Sequence, residues 1–255
     1  MSTTSTEPSP RAAAELERVR ALPGVLAELD PRFEPEGWSN KEIAKLERVH
    51  GEPLPAWYRL YLETLGRSFA ELRYFGDMDL RPKSLVKWMK RVEWRSPRYL
   101  QIGLGAHDSE FHLFIDRGEE REGLGVVSFE SPPGPEGVGL VRRIATSFST
   151  YILLGHATRL IGDMPAAGTI GARGPETGKL PRVGKQLRRA GAEAHPLSGA
   201  WDQLFVGGRV LALATEFGGE QSVSVYLGCM AHDEWWEIAG KLEHEVGLRI
   251  GRQPS

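Results

Sequence analysis

The sequence predicts an α+β fold, an antiparallel sheet flanked by helices, with a small additional C-terminal ββαβ unit. Three observations carry this expectation. Ile43–Gly66 spaces its apolar residues as two short helices around a Gly-x-Pro-Leu-Pro corner. Between Tyr99 and Phe129 the period drops to two in three short segments joined by polar turns, the pattern of an antiparallel meander. Val210–Phe217 and Ser222–Cys229 then alternate around a Gly-Gly turn and lead into a helical pattern.

The elements follow in order. Residues 1–10 are Ser, Thr and Pro with little to bury. Ala12–Leu29 has Leu16, Val19, Leu22, Leu26 and Leu29 near helical spacing, and Pro23–Gly24 is expected to bend or split that helix. Ser39 or Asn40 can cap the next helix, on which Ile43, Leu46 and Val49 share a face and which Gly51 ends. Pro55 suits the first turn of the following helix, whose apolar face is read as Trp57, Leu60, Tyr61, Thr64 and Leu65, with Gly66 as its stop. The polar-to-apolar stretch Ser68–Pro82 ends in or borders a short strand, and Ser84–Trp94 is helical. Tyr99–Gly105, Glu110–Asp116 and Leu124–Phe129 are the meander, Ser131–Gly139 is a loop by composition, and Val141–Leu154 is read as a helix with Ile144, Phe148, Tyr151 and Ile152 inward.

From Pro165 to Pro196 the chain is rich in Gly, Pro, Ala and Arg, and only Val183–Ala190 supports a short helix. Over residues 161–199, Arg173, Lys179, Arg182, Lys185, Arg188 and Arg189 outnumber Asp163, Glu176 and Glu193. A helix from Asp233 to about Val246 and a last strand at Leu248–Ile250 complete the C-terminal unit, in which acids outnumber bases. The implied organisation is an N-terminal tail and helix (1–37), a main domain (38–160), a linker or insertion (161–199) and a C-terminal unit (200–255).

The order Ile43, Leu46–Glu47, Gly51, Leu54–Pro55, Trp57–Tyr58–Arg59, Leu62, Gly66 resembles the opening of the SMI1/KNR4 family, also called the SUKH superfamily. Tyr99–Ile102, Phe114–Asp116, Val126–Val127 and the Ser147–Phe148 pair fall where that family has its strands, Asp-rich turns and "Ser-Phe" helix. The resemblance covers about the first two-thirds of the chain, and the C-terminal third departs from the family's short single-domain pattern. It implies a non-enzymatic protein-binding domain. Bacterial members commonly act as immunity proteins against a cognate polymorphic toxin, often a nuclease or another cytotoxic enzyme. Fungal relatives resemble scaffolds or regulators.

Bulk properties narrow the field. The 255 residues are 40% hydrophobic and 26% charged, with a net charge of −2, so no global field points to nucleic acid or to an anionic membrane. The one cysteine, Cys229, excludes an internal disulfide framework and lies in an apolar run that reads as buried core. No signal-peptide pattern opens the chain and no run of about 18 apolar residues occurs, so a cytoplasmic protein is expected.

Several clusters invite a chemical reading. Gly174–Leu180 faintly suggests a phosphate loop, yet only three residues separate Gly174 from Gly178 and Leu180 replaces the magnesium-binding hydroxyl. Asp108, Glu110 and His112 would share a strand face beside His107, as metal ligands or as the solvent face of an edge strand. Asp233 is read as an N-cap with Glu234 and Glu237 in the first turn, and Glu237–Lys241 as an ordinary i,i+4 pair. No Gly-x-Ser-x-Gly elbow occurs. No catalytic residue, metal or cofactor is therefore assigned.

The expected activity is occlusion of a cognate toxin protein by surface complementarity, with no direct contact to nucleic acid or membrane. Candidate contacts are Asp77 and Asp79, the acidic tip Glu119, Glu120 and Glu122, and the pair Trp235–Trp236, which a helix directs about 100° apart. The competing readings are a scaffold with an endogenous partner, an enzyme using His107 or His112 between the two halves, and a nucleic-acid binder through Arg182–Arg189.

Overall fold

The computed structural model describes residues 9–73, 77–91, 96, 98–105, 112–117, 126–129, 141–172, 178–217 and 222–254. It is an α+β structure with two six-stranded antiparallel sheets among the described residues. The chain divides into two compact units, Met1–Ile152 and Leu153–Ser255.

In the first unit α1 (Pro10–Leu29) is one helix. Pro23 lies within it and does not split it, since Val19, Leu22 and Leu26 bury one continuous face on both sides of the proline. Ser39 caps α2 (Asn40–His50) in a full capping box with Glu42, and Gly51 ends it at φ 82°, where a side chain would be strained. On α3 (Ala56–Thr64) the buried face is Trp57, Tyr58, Tyr61 and Leu62. Leu60 and Thr64, placed inward by spacing, are half-buried. Glu47 and Arg59, both in the family-like motif, clasp the corner: Arg59 donates to Glu47 at 2.8 Å and to Glu63 at 2.9 Å.

The first sheet is a meander in chain order: β1 (Glu71–Arg73), β2 (Asp77–Asp79), β3 (Tyr99–Gly105), β4 (His112–Asp116), β5 (Val126–Phe129) and β6 (Val141–Ala145). Gln101, Phe114 and Val127 face one another across β3, β4 and β5. All five residues of β4 are buried. Arg98 anchors the end of β4 by a two-pronged bond to Asp116 at 2.9 and 3.0 Å. Helix α4 (Pro82–Met89) packs against α2 and β3.

The helix expected from Val141 is corrected here. Val141–Ala145 is β6, paired with β5, and α5 (Phe148–Gly162) starts only at the Ser-Phe pair. Val141, Ile144 and Phe148 mimic a helical stripe, but Ser147 stops the strand and accepts the N–H of Thr150 at 3.1 Å as an N-cap. Phe148 then inserts among Trp57, Tyr58 and Tyr61, at ring-centroid distances of 5.4, 5.5 and 4.7 Å.

The second unit also departs from expectation. Its sheet runs β12 (Arg249–Arg252), β7 (Ala166–Ala172), β11 (Ser222–Cys229), β10 (Val210–Phe217), β9 (Asp202–Val206), β8 (Glu193–Ala194). Residues 161–199, read as a linker or insertion, therefore supply an interior strand, the helix α6 (Lys179–Arg189) and an edge strand. The C-terminal unit is not a small ββαβ piece. Val183 and Leu187 of α6, with Trp235, Ile238 and Leu242 of the last helical segment, cover one sheet face formed by Ile170, Val225 and Leu227. That segment is α7 (His232–Lys241) continued by a π-helical turn, Leu242–Val246.

Candidate protein-binding surface

The neighbouring tryptophans on α7 take opposite roles. Trp235 is fully buried and donates its indole N–H to the Leu227 carbonyl at 3.1 Å. Its ring lies over Gly168 of β7, where an added Cβ would approach the ring to 2.5 Å. Only a residue without a side chain admits the indole there. Trp236 is 42% exposed and stacks edge-on against Trp235, centroids 5.1 Å apart. The buried ring thus supports the exposed one from below.

The outer face of α7 continues this surface. Asp233, Glu237 and Gly240 are exposed and lie three or four residues from Trp236, or next to it. An added Cβ at Gly240 would meet nothing within 4 Å, so the helix offers open backbone beside the indole. The hydrogen bond from Lys241 holds the Glu237 carboxyl below its ordinary range. Asp233 is not the N-cap: Ala231 holds that position without a side-chain bond, and Asp233 and Glu234 sit in the first turn, where the helix dipole favours them. Glu234 pairs with Arg209 at 3.2 Å.

The remaining candidates fare differently. Asp79 is tied to Arg81 through side-chain bonds of 2.9 and 2.7 Å and a backbone N–H at 2.9 Å. Burial pushes its carboxyl up, and the bonds from Arg81 outweigh that and hold it below the usual range. It caps the turn into α4 and is a poor contact for a basic partner. Asp77 is described by its backbone alone, in register with Arg73. Glu119, Glu120 and Glu122 lie outside the described residues, as do His107, Asp108 and Glu110.

His112 is on an interior strand, between Leu104 and Phe129, and not on the solvent face of an edge strand. Burial lowers its pKa and its ring packs on Trp88 at 4.7 Å. No cluster able to hold a metal occurs among the described residues. Lys179, in the loop that resembles a phosphate site, donates to the Gly247 carbonyl at 3.3 Å and heads α6. Arg182 and Arg189 both reach Glu245, which ties α6 to the π-helical turn. Cys229 is buried, and burial pushes its thiol up to about 12.

One polar cavity stands apart. Gln101 and Arg117, each with a buried nitrogen that has no protein partner, line a space of about 30 Å³ beside Tyr99. That volume suits about one water molecule and is too small for an organic substrate.

These features define a class: an α+β protein of two antiparallel sheets, with an exposed aromatic on the outer face of one helix. Comparison with protein-family models, with curated proteins and with solved structures yields no match to this chain. No helix among the described residues is long and apolar enough to cross a membrane.

Proposed function

We propose that this chain is a non-enzymatic protein-binding protein of the immunity type, which neutralises a cognate toxin by covering its working surface. The observation that carries the reading is Trp236, an exposed indole held in place by the buried Trp235 and flanked by Asp233 and Glu237. A rigid aromatic at the centre of a polar rim is the arrangement that concentrates binding energy at protein interfaces. Of the acids beside it, Asp233 favours encounter with a basic partner, while Glu237 is paired with Lys241. The family-like motif supports the same reading, because its residues Glu47, Trp57, Tyr58 and Arg59 are occupied in building the fold of the first unit.

The test is co-expression with toxins encoded next to the gene, scored by survival and co-purification. The wild-type chain rescues growth and co-purifies. Trp236→Ala weakens the complex by roughly thirtyfold or more, as an interface hot spot does, while leaving the melting temperature unchanged. Turnover of a substrate by the isolated chain, abolished by one polar replacement, overturns the reading.

A further inference from the structure

Helices α2 and α4 lie side by side in the first unit and leave a groove of about 400 Å³ between them. Its floor is apolar, formed by Val49, Pro82 and Val86. Its walls carry Lys45 and Arg48 from α2, Lys83 from α4 and Lys90 at the end of α4. None of these four cations has an ion-pair partner among the described residues. The contrast with nearby arginines is sharp. Arg59, Arg67, Arg81, Arg98 and Arg117 are each paired with a carboxylate.

The one acid in the groove does not neutralise the lysines. Glu42 accepts the Ser39 hydroxyl at 2.6 Å, the Ser39 backbone N–H at 3.0 Å and Arg67 at 3.4 Å, and these bonds, the hydroxyl's first, lower its pKa. Like charges also stand one turn apart within each helix: Lys41 and Lys45 on α2, Lys83 and Lys87 on α4. Such i,i+4 repulsion weakens a helix unless something negative relieves it.

We infer that this groove docks an acidic, aliphatic-bearing segment of a partner polypeptide, its carboxylates meeting Lys45, Arg48, Lys83 and Lys90 and its apolar side chains seated on Val49, Pro82 and Val86. The mixed lining selects a polypeptide. A nucleic-acid strand gains little from an aliphatic floor, and three of the four cations are lysines, which lack the planar fork of arginine. The net charge of −2 also leaves no general attraction for polyanions, so the groove acts locally. The inference stands independently of toxin neutralisation, since the groove belongs to the first unit and Trp236 to the second.

The experiment is fluorescence anisotropy on the full chain with a labelled peptide of repeated Glu-Glu-Leu. Parallel arms use a Lys-Lys-Leu peptide, a single-stranded oligonucleotide and phosphatidylserine vesicles. The acidic peptide is expected to bind, to weaken as salt rises, and to bind about tenfold or more weakly to the double variant Lys45→Glu with Lys83→Glu. Lys185→Glu, a charge reversal at an exposed position of α6, leaves binding unchanged. An unchanged melting temperature for the double variant shows that lost binding is not lost folding. Absence of peptide binding overturns the inference. So does equal binding by the double variant, or tighter binding of the oligonucleotide or the vesicles with the same sensitivity to the double variant.

Discussion

The carboxylate of Glu15, in the middle of α1, accepts the backbone N–H of Ser149 at 2.6 Å and the Ser149 hydroxyl at 3.1 Å across 134 residues of chain. It thereby places a buried acid, only 3% exposed, at the N-terminus of α5, where an orphan N–H, a serine hydroxyl and the helix dipole receive it. Burial raises its pKa from the ordinary value of 4.5, and the bonds from Ser149 offset only part of that rise. The native state therefore holds this proton more tightly than the unfolded chain. The contribution of Glu15 to stability is full below about pH 4.5 and falls as pH rises through the native pKa. Glu15→Gln should flatten that part of the stability–pH curve, and Glu15→Ala should cost about 1–3 kcal/mol by orphaning the Ser149 N–H. Urea melts at stepped pH measure both.

Phe148 is the centre of the aromatic cluster in the first unit, touching three rings of α3. Phe148→Ala should destabilise that unit by about 3–5 kcal/mol, and Phe148→Leu by distinctly less, since it keeps most of the volume. Differential scanning calorimetry reads the loss.

Gly168 makes room for the Trp235 indole. Gly168→Val should lower stability by about 1–3 kcal/mol through overpacking and should displace the Leu227 bond to the indole. Near-ultraviolet circular dichroism, which follows the packing of tryptophans, would register the shift before global unfolding.

Cys229 is buried, and its thiol lies far above neutral pH. The native protein should not react with a thiol reagent at neutral pH, and the denatured chain should react at once. Rapid labelling of the native chain would mean that β11 opens locally.

Much of the fold was legible where one face of an element is buried and the other is not. Tyr99–Gly105, Val210–Phe217 and Ser222–Cys229 were marked by alternation alone and are strands with those bounds. β7 escaped because its residues, AAGTIGA, are small. Small residues usually signal a loop, and here they let Trp235 lie on the sheet, a demand that arises only in three dimensions. β6 was misread because the strand and the next helix share one apolar stripe through Ile144 and Phe148.

The candidate surface was legible only in part. Adjacent tryptophans on a helix cannot both face one core, and the structure buries one and exposes the other. The role of Asp79 could not be read, because its partner Arg81 depends on the turn between them. The groove between α2 and α4 had no signal at all, since its cations come from helices far apart in the chain.

The placement of β7 has a practical consequence. A fragment cut at residue 199 would strip away the strand that joins β11 to β12 and the helix that covers Phe205. The ladders of β11 and β12 that β7 pairs in the intact chain would then face water, each free to recruit a foreign strand, so such a truncation invites aggregation.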